Sequence, residues 1–176
     1  MRLLSEAYRQ EQKTLHAKGN YGTASKSFGK VVSSLIDQTG AKTLLDYGCG
    51  SKRSLLEVLA PSHDVRYEGY DPAVEDYAGE PDAADLVVCI DVLEHIEPEL
   101  LDNVLDHIAS KSQQWFFASV HTGAALKTLS DGRNAHLIQE PPSWWLPKFF
   151  SRWDVQTFQA NQSGFTLLCR FRPTQN

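Results

Sequence analysis

The chain contains 176 residues, of which 41% are apolar and 22% charged. This length and composition predict one globular domain and exclude disordered, collagen-like and disulfide-stapled chains. The formal net charge of −5 disfavours tight, sequence-independent binding to nucleic-acid backbones. The cysteines at positions 49, 89 and 169 form no C-x-x-C pair, and the longest apolar run, 86–90, is too short for a membrane helix. We therefore expect a protein of the reducing cytoplasm with no membrane span.

Helices and strands are predicted to alternate along most of the chain. The apolar spacing predicts helices over residues 6–15, 30–37, 51–60, a segment after Pro98, and the aromatic stretch 144–153. Short aliphatic or aromatic runs predict strands over residues 42–46, 65–70, 85–91, 115–120, 154–159 and 165–171. Alternating strands and helices that close on an antiparallel pair favour an α/β fold around a mostly parallel sheet.

Two glycines and one aspartate mark the predicted ligand edge of this sheet. Gly48 and Gly50 follow the first strand, where they let the backbone approach a ligand at the start of the predicted helix. A glycine turn is also the simplest connection between a strand and a helix. Asp71, about twenty residues further on, ends the second strand and can accept both hydroxyl groups of a ribose. Together the three residues favour a cofactor that contains a ribose.

The stretches LLDYGCGSKRSLLEVLA, YEGYDP and ADLVVCIDVLEHIEPELLDNVL resemble the class I S-adenosylmethionine-dependent methyltransferases, across residues 43–108. The stretch DGRNAHLIQEPPSWWLPKFF and the LHA…YG segment at 15–22 resemble a small group of uncharacterised bacterial and phage methyltransferases. The resemblance implies a Rossmann-like, doubly wound sheet with a C-terminal antiparallel hairpin. Nicotinamide dinucleotide binding is the weaker alternative, since the aspartate before the glycine turn and the DVLEH run belong to the methyltransferase pattern.

The resemblance also implies which residues hold S-adenosylmethionine. Asp71 would bind the ribose, Pro72 would lie near the adenine, and Asp91 with Val92 would lie beside the methyl group. The full cofactor-binding set is Asp46, Gly48, Cys49, Gly50, Asp71, Pro72, Asp91 and Val92. The family usually has a third glycine close behind the second. This chain instead has Lys52 two residues after Gly50.

About thirteen residues separate Asp71 from Asp85, too few for the helix, strand and further helix that the family places there. We therefore expect a sheet of about six strands that lacks the family's third strand, with the loop 73–84 on the adenine side. Residues 1–176 then form one methyltransferase domain. It comprises an N-terminal helical cap at 1–40, a cofactor-binding half at 41–110 and a substrate-side half at 111–176.

Glu94 and His95 fall within one turn of the buried strand that ends near Asp91, and three interpretations of them stay open. In the first, they position the loop and line the pocket. In the second, His95 is a general base that removes a proton from the hydroxyl or amine of the methyl acceptor. Alternatively, Glu94, His95 and His136 hold a divalent metal ion, as similar EH runs do in the ubiquinone-pathway O-methyltransferases and the methyltransferases of small-RNA 3′ ends. We take Glu94, His95 and His136 as the candidate catalytic set and favour the site without a metal ion.

Four further residues are candidates for acceptor binding, because loops at the ligand edge of a sheet usually carry substrate recognition. They are Tyr21, His121, Arg133 and Asn134. The aromatic stretch 144–153 is interpreted as a helix packed on the sheet rather than a stacking platform. The predicted activity is transfer of a methyl group to an oxygen or nitrogen of a small molecule. The alternatives are a nucleic-acid or protein acceptor, and a catalytically silent partner subunit that binds S-adenosylmethionine.

Overall fold

The computed structural model describes residues 1–17 and 23–172. Its four α-helices in this part of the chain are α1 (Glu6–Ala17), α2 (Gly29–Thr39), α3 (Leu101–Lys111) and α4 (Pro142–Phe150). Its strands are β1 (Thr43–Tyr47), β2 (Arg66–Tyr70), β3 (Ala84–Ile90), β4 (Ser112–His121), β5 (Trp153–Ala160) and β6 (Gly164–Phe171). None of the helices in the described ranges is both long and apolar enough to cross a lipid bilayer.

The strands form one six-stranded sheet in the order β2-β1-β3-β4-β6-β5. The first four strands in this order run parallel, whereas β6 pairs antiparallel with both β4 and β5. The α/β, mostly parallel sheet with a C-terminal antiparallel hairpin is therefore confirmed. The parallel strands bring the ends of β1, β2, β3 and β4 to one edge, which is where open α/β sheets bind ligands.

Both faces of the sheet are covered, which explains why β3 is aliphatic along nearly its whole length. On one face α3 and α4 pack against β3, β4 and β6, and Trp145 and Phe149 of α4 belong to this core, whereas Trp144 and Phe150 are exposed. On the other face α2 packs against Leu44, Leu86 and Val88. Gly40 ends α2 in the left-handed conformation, at φ 69°, which glycine adopts without steric cost.

The helix predicted over residues 51–60 is wrong. This segment forms a series of turns with a short 3₁₀ stretch at Leu56–Val58, in which the N–H groups of Arg53, Leu56 and Val58 each donate to the third carbonyl before them. Arg53 adopts a positive φ of 47°, which an α-helix cannot accommodate. Leu55 alone of the apolar residues at 55, 56 and 58 is fully buried, while Leu56 and Val58 are exposed. The helical spacing therefore arose from residues that do not share one buried face.

The loop between Asp71 and Ala84 contains no strand, so the sheet ends at β2 as predicted. The backbone N–H of Asp71 donates to the carbonyl of Tyr77, which folds the loop against the end of β2. Glu80 accepts from Lys111 and His107 of α3, at 2.5 and 3.1 Å. These contacts attach the loop to α3. Because the loop adds no strand to the sheet, β2 is an edge strand.

Candidate active site

A cavity of about 470 Å³ lies at the edge where the parallel strands end, a volume within the usual range for small-molecule sites. Its lining contains nine of the fifteen residues that the sequence assigned to cofactor, catalysis or acceptor. They are Gly48, Gly50, Asp71, Pro72, Asp91, Val92, His95, His121 and His136. Most of the predicted residues therefore lie at this edge, although the larger part of the lining comes from residues that the sequence did not assign.

The glycine turn after β1 lies directly against the end of β3. Gly48 has a φ of 84°, and a Cβ atom built on it would lie 2.4 Å from Cγ2 of Val92. Glycine is required there for both its conformation and its lack of a side chain. The N–H groups of Gly48 and Cys49 both donate to the carbonyl of Tyr70, which fixes the turn beside β2. The exposed backbone of this turn forms one wall of the cavity.

Asp71 connects the turn to the end of β2. One of its carboxylate oxygens accepts from the N–H of Gly50 at 3.0 Å and the other from the N–H of Ala73 at 2.9 Å. Each oxygen of an ionised carboxylate can accept a further hydrogen bond. The side chain is thus held in place by the backbone while it lines the cavity next to Pro72. This arrangement can receive the two hydroxyls of a ribose.

Two residues of the predicted cofactor set do not line the cavity. Asp46 is buried beneath it and accepts from the hydroxyl of Tyr67 at 2.8 Å. Burial, together with the nearby charge of Asp71, raises the pKa of Asp46 to about 7. The thiol of Cys49 is buried beside Gly69. Both side chains therefore support the turn without lining the cavity, and their assignment to the cofactor-binding set stays a prediction.

The end of β3 is held in an uncommon backbone conformation. Asp91 has a φ of 53°, a left-handed conformation that aspartate adopts more readily than most residues. Its N–H and one carboxylate oxygen both bond to the hydroxyl of Ser119 on β4, at 3.0 and 2.7 Å. This turn directs the following residues, Val92 and His95, into the cavity.

Two histidines that are far apart in the chain, His95 and His136, meet in the cavity. The rings of His95 and His136 lie edge to face with their centroids 4.7 Å apart. Nδ1 of His95 bonds to the carbonyl of Ala135 at 2.8 Å, and Nδ1 of His136 bonds to the carbonyl of Gly123 at 2.7 Å. Because a carbonyl only accepts, Nδ1 of each ring carries a proton, which assigns the lone pair of a neutral ring to Nε2. Burial lowers the pKa of His136, which favours its neutral form.

Glu94 lies behind these rings rather than in the lining. It is completely buried, and its Oε1 accepts from the N–H of His121 at 2.8 Å, whereas Oε2 has no hydrogen-bond partner within residues 1–17 and 23–172. Burial, with the charge of Asp91 as the next contribution, raises the pKa of Glu94 to about 8. Its carboxyl group therefore holds the end of β4 in position beside the histidines.

The same three residues could hold a divalent cation. One potential ligand atom from each of Glu94, His95 and His136 lies within 4.8 Å of the other two. Two imidazoles that donate from Nδ1 to a carbonyl and one carboxylate are a suitable donor set, and the unpaired Oε2 of Glu94 fits such a role. The residues present therefore fit a metal ion as well as a metal-free site.

The four candidate acceptor-binding residues have different positions. His121 lines the cavity, with its ring centroid 4.9 Å from that of His136. Arg133 is exposed and paired with Asp131. The amide of Asn134 bonds to the backbone of Ala125 and His136, so it shapes the loop and is not part of the lining. Tyr21 lies outside the described residues.

The N-terminal segment contributes a wall that the sequence analysis did not include in the site. Leu4, Tyr8 and Gln12 line the cavity. Tyr8 and Gln12 are four residues apart and lie on one side of α1, and this spacing is the signal that could have identified them, whereas Leu4 precedes the helix. The other unassigned lining comes from Thr23–Ser25, from Tyr47, Ala73, Ile90, Ile96 and Val104, from Ala124–Lys127 and Ala135, and from Leu3.

The family model described as "Methyltransferase domain" matches residues 23–168. A search of the curated proteins finds no match to the sequence. Among solved structures, an O-methyltransferase family protein from Burkholderia thailandensis is similar over 99% of this chain, with a TM-score of 0.69 and 16% identity. The chain spans 65% of the length of that protein.

Two further structures were solved with cofactor or product bound. The 1,6-didemethyltoxoflavin-N1-methyltransferase of B. thailandensis, with its substrate and S-adenosylhomocysteine, has a TM-score of 0.64 at 15% identity. The similarity covers 97% of this chain and 92% of the chain of that enzyme. The magnesium protoporphyrin IX methyltransferase of Synechocystis PCC 6803, with S-adenosylmethionine, has a TM-score of 0.57 at 13% identity, over 96% of this chain and 86% of its own. These similarities extend across nearly the whole chain.

Proposed function

The chain belongs to the methyltransferase domain family, and from this premise we propose that it transfers the methyl group of S-adenosylmethionine to an oxygen or nitrogen of a small molecule. The observation that carries the acceptor chemistry is the pair of histidines, His95 and His136, which line the same cavity as the glycine turn and Asp71. Such a pair can take up the proton that a hydroxyl or amine loses when it is methylated.

The proposed cofactor position follows from the turn and the ends of β2 and β3. Asp71 would accept the ribose hydroxyls, Pro72 would lie beside the adenine, and the backbone at Gly48 and Gly50 would face the methionine end. Asp91 and Val92 would then flank the sulfonium. In this position the methyl group faces the histidines, and the chain contributes chiefly by aligning the methyl group with the nucleophile.

A small molecule is favoured over a macromolecule as the acceptor. Apolar side chains such as Leu4, Ile96 and Ala135 line the proposed acceptor side of the cavity. The net charge of −5 disfavours binding to a nucleic-acid backbone. The structural neighbours include enzymes named for methylating small molecules, a didemethyltoxoflavin and a magnesium porphyrin. A steep loss of acceptor binding with rising salt would instead favour a nucleic acid.

The cofactor proposal is tested by calorimetric titration with S-adenosylhomocysteine. We expect wild type to bind, and Asp71→Ala to bind at least tenfold more weakly because the ribose hydroxyls lose their acceptor. Asp64→Asn, which changes an exposed aspartate, is the control and should bind as wild type does. Equal affinity for wild type and Asp71→Ala would contradict the proposed position of the ribose. A bound cofactor that is never turned over in a broad acceptor screen would favour the silent subunit.

The role of the histidines is tested by pH and by chelation. A general base predicts that His136→Ala loses at least a hundredfold in kcat while its affinity for S-adenosylhomocysteine is unchanged. Since burial lowers the pKa of His136, the acidic limb of the wild-type rate should lie below the ordinary value of 6.5. A metal site predicts instead that a chelator abolishes turnover and that added divalent ion restores it. In that case Glu94, His95 and His136 would hold an ion that supplies Lewis-acid polarisation of the acceptor oxygen.

A further inference from the structure

Helix α1 spans the cavity and is attached to both of its walls. On the cofactor side the guanidinium of Arg9 donates to the carbonyl of Pro72. On the side of the histidine loop, Glu11 accepts from the N–H and hydroxyl of Ser130. Between these attachments, Tyr8 and Gln12 face inward and line the cavity. We call these two residues the inner face of α1.

The side-chain amide of Gln12 is buried in this position, and its nitrogen makes no hydrogen bond that would stabilise the fold among the described residues. Only 8% of the residue is exposed, and its Nε2 has no hydrogen-bond partner among the described residues. A buried amide donor that lacks an acceptor destabilises the folded chain, and such groups are rare in native structures. The outward residues Glu6, Gln10 and Lys13 are exposed and polar. The unpaired donor is thus confined to the side of α1 that faces the cavity.

The inner face of α1 lies close to the histidine pair, beside which the acceptor would bind. Tyr8 packs against Leu129 and Ala135 in one small apolar cluster, and the carbonyl of Ala135 is the group that orients His95. Gln12 is one helical turn beyond Tyr8. The match to the family model begins at residue 23, so α1 precedes the segment that the model covers, although similar solved structures extend over it.

We infer that the inner face of α1 forms the acceptor subsite and that Gln12 donates a hydrogen bond from Nε2 to an oxygen or ring nitrogen of the acceptor. This inference rests on the proposed function and deepens it. Among the side chains that the structure describes, those that α1 and the segment before it bring to the cavity are Leu3, Leu4, Tyr8 and Gln12, and none of these carries a formal charge. The acceptor is therefore a neutral, largely apolar molecule with a hydrogen-bond acceptor on the part that lies under α1.

The first test needs no knowledge of the acceptor. Gln12→Leu replaces the unpaired amide by an apolar side chain of similar size, and Gln10→Leu makes the same change on the exposed side of α1. We expect Gln12→Leu to unfold at a higher temperature than both wild type and Gln10→Leu, and all three to bind S-adenosylhomocysteine within twofold of one another. A lower unfolding temperature for Gln12→Leu would show that the amide serves folding. A tenfold weaker binding of S-adenosylhomocysteine would assign Gln12 to the cofactor. Either result overturns the inference.

The second test identifies the chemistry that Gln12 recognises. A library of neutral aromatic fragments is screened against wild type saturated with S-adenosylhomocysteine, by ligand-observed NMR. We expect fragments that carry a carbonyl, ether or ring nitrogen to bind wild type and Gln10→Leu equally, and Gln12→Leu about tenfold more weakly. Equal binding to all three proteins, or no preference for such fragments over plain hydrocarbons, refutes the inference. If S-adenosylhomocysteine itself fails to bind wild type, the proposed function fails as well.

Discussion

Gly48 shows how one residue fixes the geometry of a whole turn. Its positive φ and the contact that a Cβ would make with Val92 are independent constraints, and both follow from the need to bring the turn after β1 against the end of β3. The sequence indicated this position through the glycine alone. It could not indicate that Val92 is the group that excludes a side chain, because the two residues meet only when β1 and β3 pair.

Replacing Gly48 by alanine should damage both stability and cofactor binding. We expect Gly48→Ala to lower the free energy of unfolding by about 1–3 kcal/mol, from backbone strain and the clash with Val92. Affinity for S-adenosylhomocysteine should fall at least tenfold. Gly79→Ala is the matched control, since Gly79 has no atom within 4 Å of a built Cβ. Denaturant unfolding and calorimetry check both effects, and equal behaviour of the two variants would contradict this account.

Asp46 marks the limit of assigning roles from a motif. It belongs to the strand-turn pattern on which the resemblance depends, yet its side chain shares the sheet face of Leu44 and lies under Tyr67. Side chains alternate between the two faces along a strand, so a motif residue one position away from the turn can point away from the cavity. Tyr47, which was not assigned, lines the cavity instead.

Among the elements, the strands were predicted well and one helix was not. All six strands coincide with short aliphatic or aromatic runs that are bounded by turn residues. A strand that is buried on both faces, such as β3, is recognisable because it is aliphatic along nearly its whole length. The segment 51–60 has apolar residues at helical spacing, but this spacing cannot reveal that Arg53 leaves the helical region. The convergence of His95 and His136 required the order of the strands, which the sequence supplied only through the crossover rule.

Helix α4 provides a matched pair of neighbouring tryptophans. Trp145 is fully buried against Phe149 and Phe165, and its Nε1 donates to the carbonyl of Glu140. Trp144 is 36% exposed. We expect Trp145→Ala to lower the free energy of unfolding by about 3–5 kcal/mol, as large core truncations do, and Trp144→Ala by about 1 kcal/mol or less. Equal losses for the two variants, measured by denaturant unfolding, would show that α4 packs differently.

For the molecule as a whole, the buried carboxyl group of Asp46 predicts how stability depends on pH. Its pKa in the folded state is about 7, above the ordinary value of 3.8. Between these values the folded state keeps a proton that the unfolded state has released, so this contribution to stability is lost as pH rises toward 7. Burial is the main cause, and Asp71 adds to it, while the bond from Tyr67 opposes it.

Asp46→Asn removes this titration and keeps an oxygen that can accept from Tyr67. We expect the free energy of unfolding of the variant, relative to wild type, to increase between pH 4 and pH 7 by up to about 1.4 kcal/mol per pH unit. Asp64→Asn changes an exposed aspartate and should follow the wild-type curve. Unfolding curves measured at several pH values test this, and parallel curves for wild type and Asp46→Asn would contradict it.

The shortened sheet also has a consequence for self-association. Because no strand lies beyond β2, its outer backbone groups form a border that another chain could extend by pairing. This border is only five residues long and carries Arg66 and Glu68, which bond to Asp82 across the covering loop. Short length, charge and a loop drawn over the border are the features by which natural sheets resist adding a foreign strand. The chain thus shortens its sheet without creating a template for aggregation at β2.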